Sequence, residues 1–257
     1  MADSITLNQA VILAGGKGQR LRPLTDNLPK PLVSVNGRPF LDYLLYSLVE
    51  AGFNRVLFLT GYKGEMIRDR YRDMSAGKIE VEFSQGEVEY QTGRRLLNAY
   101  ELLDEYFMLL YADNYWPIEM KQMIRFYAEK NVKAMITVFS NKHNTGEYGK
   151  ENNIAVDSNG LVSSYNKNKG CVELNGVDIG YFILHKSAIP KDLTGNPSFE
   201  QDILPIFISE NQLAAYVTDR QYYYITNLKS LKDFESLVRK INIPALPLEY
   251  FSGSAKQ

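Results

Sequence analysis

The residues with the clearest chemical potential form a short loop, rich in glycine and basic residues, near the start of the chain. Four apolar residues, 10–13, lead through Ala14 into three glycines, and Arg20 follows two residues later. The three glycines are Gly15, Gly16 and Gly18. Glycine allows a positive φ and lets backbone N–H groups approach an anion closely, while arginine can donate two hydrogen bonds to phosphate oxygens. The loop therefore predicts a binding site for a phosphate-bearing ligand.

Two further charged residues stand in positions that suit such a site. Lys30 lies between Pro29 and Pro31, which restrict the backbone on both sides and predict an extended, ordered loop. Asp113 comes just after the unbroken apolar run 106–111, where a buried strand is predicted to end. The alternative for Asp113 is that it caps the turn after this strand.

The elements that must position these residues alternate between strand and helix over the first 140 residues. Buried strands are predicted at 55–60, 106–111 and 134–139, and an alternating strand at 79–83. Apolar residues at helical spacing, as in 40–48, separate the strands. This order predicts an α/β fold with a doubly wound, mostly parallel, Rossmann-like sheet. The ligand site of such a sheet lies at the carboxyl ends of its strands, where the glycine loop and the acidic residue both fall.

The second half of the chain is less regular and predicts a smaller, β-rich part. A hairpin is predicted around the turn 157–160, and further strands at 180–184 and 213–217. A helix is predicted at 199–209.

At 257 residues the chain is long enough for one large α/β domain, which we assign to residues 1–243. Within it, residues 8–140 form a first half and residues 141–243 a second half. The segment 244–257 contains prolines, glycine and serines and is expected to be a loose tail.

Composition narrows the class of partner. With 29 basic and 30 acidic residues the net charge is −1, so neither a nucleic acid nor a membrane is expected as a partner. The single cysteine, Cys171, excludes an internal disulfide and fits a reducing compartment. No apolar leader or membrane-length apolar run is found, and we expect a cytoplasmic protein.

Two common phosphate-binding motifs do not account for the glycine loop. A dinucleotide fingerprint requires a third glycine where this chain has Leu21. A Walker-type loop requires a G-K-[ST] sequence that is missing here. A merely tight turn remains the alternative without a ligand.

The run AVILAGGKGQRLRPLTDNLPKPLVSVNGRPFLDYLL resembles the opening signature of the sugar-1-phosphate nucleotidyltransferases, G-G-x-G-x-R-L-x-P-x-T followed by K-P. The resemblance implies transfer of a nucleotidyl group from a nucleoside triphosphate to a sugar 1-phosphate, with release of pyrophosphate and with magnesium. It also implies a role in the biosynthesis of activated sugars. The first half would then bind nucleotide and the second half sugar phosphate. The base, the sugar and the oligomeric state, including a homo-oligomer, stay open.

The resemblance also implies roles for individual residues of the first half. Arg20 and Lys30 would bind the reacting phosphates, and Asp113 would hold the magnesium ion. The nucleotide would contact Ala14, Gly15, Gly16, Gly18, Gln91, Gly93 and Asn114. The chain departs from the family pattern at Arg94, which replaces a glycine. Arg94 and Arg95 begin a predicted helix, so they could bind phosphate or lie in solvent.

In the second half, the resemblance implies that Lys167 binds the phosphate of the sugar phosphate. The sugar would face Tyr148, Gly149, Asp178 and Gly180. Here the departures are larger, because Asn166 and Asn168 replace the glutamate and proline that flank the lysine in the family. A surface role for the lysine is the alternative.

The largest departure is Tyr224, which stands where the family has its second magnesium carboxylate. Asp113, the triphosphate and water could suffice, since magnesium usually keeps several waters and needs one or two carboxylates. Alternatively, Asp178 or Asp219 substitutes, or the chain has lost catalysis. The intact set of the 15–20 loop, Lys30 and Asp113 favours an enzyme. The alternative, which Tyr224 favours, is a homologue that binds nucleotide or sugar phosphate in a regulatory role.

Overall fold

The computed structural model of the chain describes residues 5–74, 79–146, 152–165 and 173–251. Over residues 9–139 the longer strands alternate with helices. The strands are β1 (Gln9–Ala14), β2 (Ser34–Val35), β3 (Arg38–Pro39), β4 (Arg55–Thr60), β5 (Glu80–Gln85), β6 (Tyr106–Tyr111), β7 (Asn114–Tyr115), β8 (Ala134–Phe139), β9 (Ile154–Val156), β10 (Val162–Tyr165), β11 (Val177–His185), β12 (Leu213–Thr218) and β13 (Tyr223–Tyr224). The helices are α1 (Phe40–Glu50), α2 (Gly64–Tyr71), α3 (Thr92–Asn98), α4 (Met120–Lys130), α5 (Leu204–Ser209) and α6 (Leu228–Ile241).

Seven strands form one sheet in the order β12-β8-β11-β6-β1-β4-β5. All neighbours in it are parallel except β11, which runs antiparallel to both β6 and β8. Every residue of β1 and of β8 is buried, as expected for strands covered on both faces. The predicted α/β, mostly parallel, Rossmann-like fold is therefore confirmed.

Helices cover both faces of this sheet, and β1 shows how its residues are divided between them. Ala10 and Ile12 belong to a core that includes apolar residues of α1, α2 and α4. Val11 and Leu13 belong to a second core with residues of α3 and α5. Successive side chains of a strand point to opposite faces, so a continuous apolar run is what this position requires. β1 therefore lies inside the sheet, between β6 and β4, and its carboxyl end is flanked by strands on both sides.

The second half contributes both to the central sheet and to a small sheet of its own. β11 and β12 extend the central sheet, while the hairpin of β9 and β10 stands outside it. The helix predicted at 199–209 is a π-helical turn at Phe199–Ile203 followed by α5. Where the sequence predicts one helix over 93–104, the structure has α3, which ends at Asn98, followed by a 3₁₀ turn at Tyr100–Leu102.

The segment expected to be a loose tail differs from that expectation over residues 244–251. Leu246 is fully buried and its N–H donates to the Asp42 carbonyl oxygen at 2.9 Å. The guanidinium of Arg70 lies 4.9 Å from the ring centre of Phe251. Residues 244–251 thus pack against α1 and α2. These contacts order the segment in spite of its prolines. No helix in the described ranges is long and apolar enough to cross a membrane.

Candidate active site

A cavity of about 680 Å³ opens at the carboxyl ends of β1 and β6, at the middle of the sheet. Its lining includes residues 13–20, Lys30, Asp113 and the start of α3. Among the predicted site residues, those that line it are Ala14, Gly15, Gly16, Gly18, Arg20, Lys30, Gln91 and Asp113. The parallel strands therefore bring together residues that lie as far as 99 positions apart, from 14 to 113, as the fold predicts.

The glycine loop is folded tightly against the lysine loop. Gly18 has φ +62°, and its carbonyl oxygen accepts a hydrogen bond from Thr25 Oγ1 at 2.8 Å. A Cβ at this position would lie 3.0 Å from Cβ of Lys30. A Cβ at Gly16 would meet nothing within 4 Å, so this backbone is open to a ligand. The two glycines thus serve a turn and an approach path, respectively.

Lys30 and Asp113 form an ion pair in the cavity, with Nζ 2.5 Å from Oδ2. Their side chains are 12% and 28% exposed, so the pair is partly shielded from water. Lys30 begins a 3₁₀ turn in which the Leu32 N–H donates to the Pro29 carbonyl oxygen at 2.9 Å. The loop is ordered, but the backbone turns at Lys30 where the sequence predicted an extended conformation. The ammonium group nevertheless reaches Asp113, just beyond the end of β6.

Positive charge dominates the described lining of the cavity. It contains four cationic side chains, Lys17, Arg20, Lys30 and Arg95, and Asp113 as its carboxylate. Arg20 is exposed at the mouth and has no ion-pair partner within the described ranges. Such an excess of positive charge raises the local concentration of an anionic ligand. The site suits a polyanion.

The two carboxylates that could replace a second metal ligand do not line this cavity. Asp178 Oδ1 accepts the Gly180 N–H at 2.7 Å, and Oδ2 accepts the Tyr165 hydroxyl at 2.7 Å. Asp219 pairs with Lys142 at 2.9 Å and is 61% exposed. In the described part of the chain, no three His, Cys, Asp or Glu residues cluster as a metal site.

Tyr224 lies beside the strand end that carries the acidic residue. It pairs with Asn114 in the small ribbon of β7 and β13, and the Ile225 N–H donates to the Asp113 carbonyl oxygen at 3.0 Å. The position is thus close to Asp113 along the backbone, but a phenol carries no charge near neutral pH. One carboxylate with substrate oxygens fits magnesium, which needs one or two carboxylates.

Of the predicted sugar-facing residues that the structure describes, Gly180 packs against Tyr111. A Cβ at Gly180, where φ is +77°, would lie 2.5 Å from Cδ2 of Tyr111. Asn114 Nδ2 donates to the Ile179 carbonyl oxygen at 2.9 Å. Asn114, Asp178 and Gly180 lie outside the lining of the cavity as described. The remaining predicted residues, Tyr148, Gly149 and Lys167, lie outside the described residues.

Gly93 serves packing and does not line the cavity. A Cβ there would lie 2.8 Å from the Pro197 carbonyl oxygen. Because glycine has no Cβ, α3 can pack closely against the segment 197–199. Arg94 donates to the Gly195 carbonyl oxygen at 2.6 Å and is half-buried. Arg95 is 5% exposed. Neither arginine lies free in solvent, which was one of the two expectations for them.

The sequence did not point to a hydroxyl cluster that shapes one wall of the cavity. Glu200 accepts hydrogen bonds from the hydroxyls of Tyr111, of Thr92 at 2.8 Å and of Ser198 at 2.7 Å. Burial raises the pKa of Tyr111 well above its usual value, and the Glu200 carboxylate raises it further. Tyr111 therefore stays a neutral donor. Its position at the end of β6 was the available signal, since a strand end faces the ligand.

Comparison with known proteins identifies the family. Residues 9–238 match the sequence model of a family described as nucleotidyl transferase. A Bacillus subtilis protein named "Probable glucose-1-phosphate cytidylyltransferase" is 29% identical over 249 residues, covering 88% of this chain and 92% of that protein. A D-glycero-alpha-D-manno-heptose 1-phosphate guanylyltransferase of Aneurinibacillus thermoaerophilus is 27% identical, covering 83% of this chain and 91% of its own.

A solved structure agrees with these sequence matches. The crystal structure of HddC from Yersinia pseudotuberculosis complexed with GMP-PN has a TM-score of 0.73 and 25% identity. The match covers 90% of this chain and 99% of that one. Because the family match spans most of the chain, the protein belongs to the nucleotidyl transferase family, as its resemblance to the sugar-1-phosphate nucleotidyltransferases predicted.

Proposed function

We propose that the protein transfers a nucleotidyl group from a nucleoside triphosphate to a sugar 1-phosphate, giving a nucleotide sugar and pyrophosphate. The observation that carries this proposal is the Lys30–Asp113 pair beside a glycine loop, in a cavity with four cationic side chains. The names of the relatives support the same reaction class. The use would be the biosynthesis of activated sugars.

The triphosphate lies along the glycine loop. Its oxygens accept hydrogen bonds from backbone N–H groups of Gly15, Gly16 and Gly18, and Arg20 binds them from the mouth of the cavity. Ala14, Gln91, Gly93 and Asn114 stay our proposed nucleotide contacts, although the last two reach the nucleotide only if the ligand extends past the described lining.

In the reaction, an oxygen of the sugar 1-phosphate attacks the α-phosphorus of the triphosphate. The bond between the α-phosphorus and the oxygen bridging to the β-phosphorus breaks in line, and pyrophosphate leaves. No strong base is required, because the attacking phosphate is already ionised. Two polyanions must instead be brought together, so Arg20 and Lys30 supply most of the stabilisation as charge gathers in the transition state.

Asp113 would hold a magnesium ion together with phosphate oxygens. When bound, the ion neutralises phosphate charge and orients the reacting groups. Asp113 is paired with Lys30 in the structure, so the lysine shares this carboxylate with whatever cation the triphosphate brings. The donor set, one carboxylate next to a polyanion site, fits a hard cation of this kind.

For the sugar phosphate we propose Lys167 as the phosphate ligand. Tyr148, Gly149, Asp178 and Gly180 would shape the sugar site. The carboxylate of Asp178 already binds the Tyr165 hydroxyl and the Gly180 N–H, so it orders this wall in addition to any contact with a sugar hydroxyl.

The experiment is a matrix of the four common ribonucleoside triphosphates and thymidine triphosphate against glucose, mannose and heptose 1-phosphates. Pyrophosphate release is measured with magnesium and with excess chelator. We expect release with at least one pair, dependent on both substrates and on magnesium. Calorimetric binding of a triphosphate without release from any pair would contradict the enzyme and favour a regulatory binder.

A further inference from the structure

Three glycines follow directly after three neighbouring parallel strands. β1 ends at Ala14, β4 at Thr60 and β5 at Gln85, and these three residues are paired in register across the sheet. The residue that follows is a glycine in each case, namely Gly15, Gly61 and Gly86. A row without side chains therefore runs along the carboxyl edge of the sheet.

The guanidinium of Arg95 fills the space that this row leaves. A Cβ at Gly15 would lie 2.3 Å from Cζ of Arg95, and a Cβ at Gly61 would lie 2.5 Å from Nη1. A Cβ at Gly86 would lie 3.1 Å from the same Nη1. At the first two positions a side chain would therefore have to displace the guanidinium. Glycine at these positions is thus explained by the buried arginine as well as by the ligand.

The guanidinium of Arg95 donates its hydrogen bonds to backbone carbonyl oxygens. Nη1 donates to Thr60 at 2.6 Å, and Nη2 donates to Glu87 at 2.8 Å, with longer contacts to Val88 at 3.3 Å and Gly15 at 3.4 Å. Among the described residues, its hydrogen bonds go to carbonyls alone. Burial lowers the pKa of this guanidinium, which nevertheless keeps its charge as arginine does in proteins.

We propose that Arg95 is a positioning residue for the triphosphate, an inference that rests on the proposed nucleotidyl transfer. Its hydrogen bonds connect Gly15, the first residue of the glycine loop, to the end of β4 and to the segment after β5. The loop N–H groups are thereby held in the arrangement that binds phosphate. Its charge, buried at the wall of the cavity, also favours an anionic ligand.

Lysine cannot replace arginine in this role. A guanidinium presents five N–H donors in a fixed plane, whereas an ammonium presents three from a single point. The carbonyls bound by Arg95 belong to three separate segments, so one ammonium would leave some of them without a donor. Replacing Arg95 by lysine therefore keeps the positive charge but removes the planar set of donors.

The test compares Arg95→Lys and Arg95→Met with the wild type, using the most active substrate pair. We expect each variant to raise KM for the triphosphate by about tenfold to hundredfold, because charge-assisted hydrogen bonds that order the loop are lost. KM for the sugar 1-phosphate should change by less than about twofold. Calorimetry with inorganic pyrophosphate gives a second readout that does not depend on turnover.

Arg94→Met is the matched control, since Arg94 lies on the same helix and also donates to carbonyl oxygens, but outside the cavity lining. We expect it to leave both KM values within about twofold of the wild type. If both variants lose stability but only Arg95→Met raises the triphosphate KM, lost stability does not explain the change in KM.

Gly61→Ala tests the same contact with Arg95 intact, because its Cβ would displace the guanidinium. We expect weakened triphosphate and pyrophosphate binding, and no further weakening when Arg95→Met is added, since both changes act on one contact. This variant keeps the test decisive if the Arg95 variants do not fold. If the wild type turns over and Arg95→Lys or Gly61→Ala has the same triphosphate KM as the wild type, the role of Arg95 is overturned and the proposed function still stands. An inactive wild type would instead contradict the proposed function.

Discussion

Replacing Lys30 by methionine removes the ammonium group from the Lys30–Asp113 pair while keeping an unbranched side chain of similar length. Nζ lies 2.5 Å from Oδ2, and the lysine side chain is 12% exposed. The ammonium group is therefore largely shielded from water, whereas the Asp113 carboxylate, which is 28% exposed, keeps some contact with solvent. The change also leaves the carboxylate without its cation at the end of β6.

The size of the effect follows from the kind of contact that is lost. Removing one preorganised donor to a charged transition state lowers kcat by about 10²–10³, equivalent to about 2.7–4 kcal/mol. We expect Lys30→Met to lower kcat/KM by at least about 100-fold on this basis. The free energy of unfolding should change by only about 1 kcal/mol, because the carboxylate is still 28% exposed and can be solvated.

The assay is steady-state pyrophosphate release with both substrates varied, together with urea unfolding to check the fold. Lys142→Met is the matched control, because Lys142 also pairs with an aspartate, Asp219, at 2.9 Å but lies far more exposed. It should leave kcat/KM within about twofold. If Lys30→Met stays folded and keeps more than about a third of wild-type kcat/KM, the assignment of Lys30 to the reacting phosphates is refuted.

Three further predictions use the same assay. Asp113→Asn should abolish magnesium-dependent release while urea unfolding shows an intact domain, because an amide brings no charge to the ion; wild-type rates across a magnesium titration would make Asp113 structural. Arg20→Ala should lower kcat/KM by at least about 100-fold through the lost charge-assisted contact, and near-normal turnover would remove Arg20 from the site. Tyr224→Asp should lower the magnesium concentration that gives half the maximal rate, because a second carboxylate would stand beside Asp113. An unchanged titration in a folded variant would show that Tyr224 is too far from the ion to matter.

The parts of the fold that the sequence predicted best are those with one dominant signal. The predicted bounds of the strands at 106–111 and 134–139 match β6 and β8, because an unbroken apolar run has few alternatives to a buried strand. The direction of β11 could not be predicted, since a buried strand reads alike in either orientation. The packing of Leu246 was missed because local composition does not reveal a distant partner.

The candidate site divides in the same way. The glycine loop, Lys30 and Asp113 are local motifs, and the parallel topology brings them to one cavity. Arg95 could not be placed from sequence, because its environment is built from three glycines that lie up to 71 positions apart, from 15 to 86. The packing role of Gly93 likewise depends on the segment 197–199, which no local pattern connects to it.

In the proposed reaction the sugar phosphate attacks the α-phosphorus and pyrophosphate leaves. This reaction is tested most directly by following the two ends of the triphosphate separately, using the active pair and a triphosphate labelled either at the α- or at the γ-phosphorus. We expect the α-label in the nucleotide sugar and the γ-label in pyrophosphate, in equal amounts. A γ-label in the sugar product, or an α-label recovered as free nucleoside monophosphate, would contradict it.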